Sequence, residues 1–261
     1  MKKIFAMLAA AACLFAVSCG KDDNKGGSLK NNDGGDSELA ASLKYSKYIP
    51  VILDGESAKA IESKIAVDLR PNDTTNWLWI WDETYAGGAG AGLNFYGNTE
   101  GYTDLIVGSV GWSGGGFCIY SSYDKKNEET GDTDHLTADP DPFTLIKSTL
   151  GTAPQDWTFH LAFKGAARQA HLIGLDYAGS SYKFVVGEGS MTDAGVTYNA
   201  IAPVSGEYEA GEWMEYEIPV ADLGLDYSSE AHKNGENVVW FLSGPTAGNE
   251  LKIDAVFFYK K

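Results

Sequence analysis

The residues most suited to chemistry form one run, Trp77-Leu78-Trp79-Ile80-Trp81. In a strand, alternate side chains point to opposite faces, so the three indoles share one face and Leu78 and Ile80 the other. If the aliphatic pair enters a core, the indoles form a ladder about 7 Å apart along the strand, close to the spacing of successive sugar rings. An indole is a flat apolar plate whose negative face attracts weakly positive C–H groups, and its N–H can still donate to a hydroxyl. A pyranose stacked over about 50 Å² gains about 1 kcal/mol at about 25 cal/mol per Å². Three such platforms imply millimolar to high-micromolar binding. Alternation equally allows the reverse arrangement, with the indoles in the core and the aliphatic face covered by another layer.

Other aromatic and polar groups cluster nearby in sequence. Tyr85, Asn94, Tyr96 and Tyr102 stand among glycines, and Trp112 precedes the turn Ser113-Gly114-Gly115-Gly116. Such loops present recognition surfaces, although the same glycines also serve hairpins that need positive φ. In Trp157-Thr158-Phe159-His160-Leu161-Ala162-Phe163 the large apolar residues share a face, leaving His160 opposite, free to bond a ligand or to be a satisfied structural histidine. The candidate ligand-binding set is therefore Trp77, Trp79, Trp81, Tyr85, Asn94, Tyr96, Trp112 and His160.

No catalytic residue is assigned. Glycoside cleavage needs two carboxyl groups facing one bond, and Asp82 and Glu83, as strand neighbours, point apart. The chain has no His-Glu-x-x-His, P-loop or Cys-x-x-Cys, and Cys118 has no neighbouring base in sequence. Asp132, Asp134, His135, Asp139 and Asp141 make an oxygen-rich stretch without the glycine and terminal glutamate of an EF-hand, and Asp141 reads better as a helix N-cap.

The elements that must position these residues are strands. Across 261 residues there are 31 Gly, 14 Tyr and 7 Trp but only 4 Met, which suits short strands and tight turns. Runs at 77–81, 104–110, 116–120, 157–163, 182–186, 214–219, 238–242 and 251–259 read as strands between Gly, Asn and Asp clusters. About ten strands without βαβ alternation predict an all-β antiparallel sandwich, a jelly roll. Short helices are expected over 56–65, with Ala58, Ile61 and Ile65 on one stripe, and over 141–151, opened by Asp141-Pro142. The formal charge of −16 repels phosphate backbones, so no nucleic-acid partner is expected.

The N-terminal segment addresses compartment. Lys2 and Lys3 precede an apolar run over 4–17, too short to span a bilayer and suited to an export signal. The run ends Ala16-Val17-Ser18-Cys19, followed by Gly20, and resembles a bacterial lipobox, departing from it at Ala16, where Leu is commoner. The resemblance implies a leader over 1–18 and acylation of Cys19. Gly20-Lys21-Asp22-Asp23-Asn24-Lys25 resembles the export tag of surface lipoproteins in Gram-negative glycan degraders, implying an outer-membrane anchor facing the cell exterior. Residues 19–44 have almost nothing to bury and read as a tether, and 45–261 as one globular domain. Cys13 leaves with the leader, so Cys118 has no disulfide partner in the chain.

From residue 50 onward the chain resembles surface lipoproteins of glycan-uptake systems whose globular part is a galactose-binding-like jelly roll, similar to carbohydrate-binding modules. The matching stretches are Val67-Asp68-Leu69-Arg70-Pro71, Asn76-Trp77-Leu78-Trp79-Ile80-Trp81, Trp112-Ser113-Gly114-Gly115-Gly116 and Phe159-His160-Leu161-Ala162-Phe163-Lys164. Glu212-Trp213-Met214-Glu215-Tyr216-Glu217-Ile218-Pro219 and Leu251-Lys252-Ile253-Asp254-Ala255-Val256-Phe257-Phe258 match late strands. The resemblance implies non-catalytic binding of an oligosaccharide or polysaccharide, partners in a transporter complex, and no required cofactor. It also implies a structural calcium held by Asp254 with an N-terminal oxygen, Asp54 or Glu56. Two alternatives stay open: an adhesin or assembly subunit using the aromatic face for protein contacts, and a glycoside hydrolase or lyase.

The anchor has a direct check. Metabolic labelling with a fatty-acid analogue should tag the wild-type chain and be lost in Cys19→Ser; persistent labelling would refute the assignment.

Overall fold

The described residues of this computed structural model are 42–261 without 73, 128 and 245. The leader over 1–18, Cys19 and the tether up to residue 41 lie outside them.

Alternation in one strand sets the layers. In β8 (Trp157–Lys164), Trp157, Phe159, Leu161 and Phe163 enter the main core while Thr158, His160 and Ala162 face the other way. Its sheet runs β13 (Trp213–Pro219), β8, β15 (Glu250–Lys260), β4 (Tyr102–Val107) and β3 (Tyr85–Gly90), with β1 (Lys47–Ile52) pairing on β15. A five-stranded sheet faces it, in the order β10 (Ser180–Gly187), β9 (Ala170–Tyr177), β14 (Glu236–Ser243), β5 (Ser113–Ile119) and β2 (Asn76–Ile80). Every pairing within the two sheets is antiparallel. The chain changes sheet between β1 and β2, β2 and β3, β4 and β5, β5 and β8, β8 and β9, β10 and β13, β13 and β14, and β14 and β15, the winding of a jelly roll.

The inner faces meet in one apolar layer. Phe159, Phe163, Ile253 and Phe258 from the six-stranded sheet meet Phe117, Ile173, Leu175 and Phe241 from the five-stranded one. The helix α2 (Pro142–Thr149) adds Phe143, Ile146 and the following Leu150 to this core. Asp141 caps it as expected, its Oδ2 accepting the Thr144 N–H at 2.9 Å. The stripe expected over 56–65 becomes α1 (Gly55–Ile61) followed by a 3₁₀ turn, Glu62–Lys64.

The two outer faces are finished differently. Over the six-stranded sheet, residues 43–61 and a loop carrying Phe95 and Tyr96 form a second apolar cluster with Ala162, Ala255, Phe257 and Tyr259. That cover explains why β15 reads as an unbroken apolar run, since both of its faces are buried. Over the five-stranded sheet lie two hairpins, β6 (Ser122–Lys126) with β7 (Thr133–Thr137), and β11 (Ser190–Asp193) with β12 (Val196–Asn199).

All eight strand runs read from sequence have counterparts, and the two sheets together hold eleven strands. Strands without a sequence signal include β3, where glycines break the pattern, and, outside the two sheets, the polar hairpin strands β6 and β7. Cys118 is a free, buried thiol that burial pushes up to about 12, so it stays protonated and is no nucleophile.

Phe258 packs near Phe159 at 5.1 Å and is sealed between the sheets. Phe258→Ala should cost about 3–5 kcal/mol of unfolding free energy in urea titration; a loss under about 1 kcal/mol would contradict this core.

Candidate functional site

The inner packing of β2 decides where the indoles go. Leu78 and Ile80 pack on the main core, so Trp77, Trp79 and Trp81 project from the outer face of the five-stranded sheet. Register then brings in indoles from elsewhere. Trp79 sits opposite Gly116, Gly116 opposite Trp240, and Trp240 opposite Gly174, so indoles alternate with glycines across four strands.

The glycines let the rings lie down on the sheet. A Cβ on Gly174 would come within 2.0 Å of the Trp240 ring, and one on Gly114 would come within 2.5 Å of Trp81 and 3.2 Å of Trp112. Trp81 and Trp112 therefore converge over Gly114, and Trp81 lies 6.2 Å from Trp240, ring centre to ring centre. Polar groups border these plates. Trp240 Nε1 donates to Asp176 Oδ1 at 2.8 Å, and that oxygen also accepts the Ser181 hydroxyl at 2.6 Å. Lys183 stands 5.4 Å from the Trp240 ring centre with its Nζ 2.7 Å from Asp193.

The hairpins cover the two ends of this face. Trp77 is only 8% exposed and packs against Tyr123 of β6 at 5.5 Å. Trp240 is 7% exposed, within a cluster joined by Met191 and Tyr198 of the β11–β12 hairpin. Between them Trp79 and Trp81 are half-buried, and Trp112 is 38% exposed. The expected three-indole ladder is thus corrected at Trp77, which is covered. In its place the accessible indoles are Trp79, Trp81 and Trp112, backed by Trp240. Trp240 was missed because its place opposite glycines of two other strands follows from register alone. The alternation of Val238–Leu242 was visible, but not which face it would serve.

Four further candidates leave the set. Tyr85 faces the inter-sheet core, 3% exposed, and its hydroxyl donates to Ser243 Oγ. Asn94 is buried and spent on its own loop, donating to Glu100 Oε2 at 2.8 Å and accepting from the Asn98 N–H at 2.9 Å. Tyr96 packs against the cover of the opposite sheet, where burial holds its hydroxyl well above the usual phenol range. His160 is 3% exposed on the outer face of the six-stranded sheet, stacked on Phe257 at 4.5 Å. Tyr85, expected in a glycine-rich loop, opens strand β3 instead, while Asn94 and Tyr96 do lie in a loop and His160 on a strand as expected; in each case the packing partner decided the face.

Asp54 and Asp254, expected from the resemblance to hold calcium, are close enough for the charge of one to act on the other. Asp54 precedes α1, and Asp254 lies at the bulge of β15 where pairing with β8 shifts register. Burial first, and then the charge of Glu100, raises Asp54 to about 6. Burial likewise raises Asp254 to about 6, helped by Asp54 and Glu100 and opposed by the Phe95 N–H that its Oδ2 accepts at 2.9 Å. Glu100 bonds the N–H groups of Glu56 and Ser57 at the start of α1.

No family model matches the chain, and no curated protein matches it. Solved structures show a distant likeness. The family 30 carbohydrate-binding module of a cellulosomal cellulase of Clostridium thermocellum aligns at 12% identity and TM-score 0.40, over 72% of this chain and 92% of that one. SGBP-B from a complex xyloglucan utilization locus in Bacteroides uniformis aligns at 13% and 0.34, over 72% and 49%. A family 11 carbohydrate-binding module from Clostridium thermocellum, solved with a β-1,3-1,4-mixed-linked tetrasaccharide, aligns at 7% and 0.33, over 71% and 89%. A likeness at these scores carries neither a ligand nor a residue role over to this chain.

The raised Asp54 and Asp254 give a signed pH effect. Their folded values near 6 exceed the unfolded 3.8, so the stability that their neutral forms contribute is present below about pH 4 and is lost as pH rises through 6. Asp254→Asn should therefore melt above wild type at about pH 7.5, with the gap closing toward about pH 4 in metal-free calorimetry; a gap that widens on acidification would contradict the assignment.

Proposed function

We propose that the protein is a non-catalytic glycan-binding module that stacks neutral sugars on the outer face of its five-stranded sheet. The carrying observation is the convergence of Trp81 and Trp112 over Gly114, with Trp79 beside them and Trp240 behind. Plates of this kind, lying on a rigid sheet, bury pyranose C–H surface without an ordering cost at each ring. Trp112 stands at the turn into β5, Trp81 opens the 3₁₀ turn that follows β2, and Trp79 and Trp240 stand on strands, so the platform is graded from firm floor to adjustable edge. Asp176, Ser181 and Lys183 at its border supply directional bonds for hydroxyl groups. Stacking at about 1 kcal/mol per ring gives weak single-site affinity, which suits capture of a repeating polymer through many contacts.

The same proposal includes the anchor. Acylation of Cys19 and a tether over 19–44 would hold this face away from an outer membrane, on its outer side, beside transporter partners. Asp54 and Asp254 would hold a structural calcium there, whose charge would fix the start of α1 against β15.

Affinity electrophoresis against a panel of soluble neutral polysaccharides tests the reading. Trp81→Ala and Trp112→Ala should each weaken retention about fivefold or more, the equivalent of about 1 kcal/mol. Trp213→Ala, an indole lost from the opposite sheet, should leave it unchanged. Equal retention by wild type and both platform variants would remove the site.

A further inference from the structure

His160, excluded from the indole face, belongs to a second constellation. It stands directly opposite Glu217 in the β13–β8 ladder, with Glu215 two residues along on the same face. His160, Glu215 and Glu217 each present a ligand atom, and these atoms all lie within 4.8 Å of one another. A tetrahedral zinc with bonds of about 2.0–2.1 Å needs ligand atoms about 3.3 Å apart, so a modest side-chain rotation closes the set.

The surroundings prepare the imidazole as a ligand. His160 Nδ1 lies 2.6 Å from the Ala255 carbonyl oxygen, which can only accept, so Nδ1 carries the hydrogen and Nε2 points at the carboxylates. A ring nitrogen held by a backbone carbonyl while the other is aimed outward is the arrangement that orients metal-binding histidines. Nε2 meets Glu215 Oε1 at 2.9 Å, a nitrogen lone pair against an oxygen acceptor, a contact that needs a cation between them, whether proton or metal. The ring cannot swing away. It is stacked parallel to Phe257, with interplanar angle 3°, and Phe95 flanks it at 5.6 Å. Glu217 is oriented in turn by the Tyr259 hydroxyl, which donates to its Oε1 at 3.0 Å. Glu215, with its side chain 38% exposed, leaves a route from solvent.

We infer that His160, Glu215 and Glu217 form a binding site for a divalent transition-metal cation of the Zn²⁺ class, on the face opposite the indole platform. One imidazole and two carboxylates make a nitrogen–oxygen set of borderline softness, and three protein ligands leave a fourth position for water. The oxygen-only group at Asp54 and Asp254 suits a harder ion, so the two positions separate by ligand chemistry. An ion here would tie β13 to β8 beside the segment that covers this sheet.

Titration of the purified full chain with Zn²⁺ by calorimetry, in the presence of excess Ca²⁺, tests the site. About one equivalent should bind, and Glu215→Gln and Glu217→Gln should each weaken binding about tenfold or more. Both substitutions keep shape, and the amide oxygen that Glu217→Gln introduces would still accept from Tyr259, so circular dichroism should report native folding. Co²⁺ in place of Zn²⁺ should give visible bands without a thiolate charge-transfer band. Three results would overturn the assignment: no stoichiometric binding by the folded wild type, unchanged affinity in both variants, or displacement of the ion by Ca²⁺.

Discussion

Burial of two apolar sheet faces against each other governs everything else in this protein. Once Phe159, Phe163 and Phe258 meet Phe117, Ile173 and Phe241, the strict two-residue period of each strand leaves no freedom over what faces outward. Leu78 and Ile80 are modest side chains, yet their place in that layer forces three tryptophans outward on the neighbouring positions. A one-residue slip of β2 would bury the indoles and expose the aliphatic pair, at the cost of the inter-sheet packing.

The two outer faces then diverge because of what is laid over them. One is closed by the segment running into α1 and by the loop with Phe95 and Tyr96, which places His160 and Asp254 in shielded surroundings, with Glu215 at their solvent edge. There, carboxylates and an imidazole feel little water, and charge becomes expensive unless paired or neutralised. The other face is covered only at its ends by hairpins, and its middle keeps flat aromatic surface. The sandwich thus separates an aromatic outer surface from one rich in ionisable side chains by the thickness of its own core.

Legibility differed by element. Strands such as β8 and β13 could be read because alternation survives in them, Trp157 to Phe163 against Thr158 and His160. β3 could not, because Gly87, Gly88 and Gly90 carry no side chain to show a period. Helix α2 announced itself through Asp141-Pro142, whereas the end of α1 tightened into a 3₁₀ turn that no residue type marks. Among the candidate residues, Trp81 was picked by strand alternation and Trp112 by its neighbouring glycines, and both lie on the outer face over Gly114. Tyr85, Asn94 and Tyr96 had the same signature and serve the interior and a covered loop instead. Glycine-rich aromatic loops look alike in one dimension whether they meet solvent or another layer.

By itself the sequence determined the all-β class, the antiparallel habit, the helix cap at Asp141 and the alternation of Trp77 to Trp81, because each depends on neighbours within a few residues. Only the tertiary structure decided which side of each strand is outside, that Trp240 joins Trp81 over glycines of other strands, and that His160 meets Glu215 and Glu217. Those relations depend on strand register and on which segment covers which sheet. Both are set by packing between residues far apart along the chain, where local patterns carry no information.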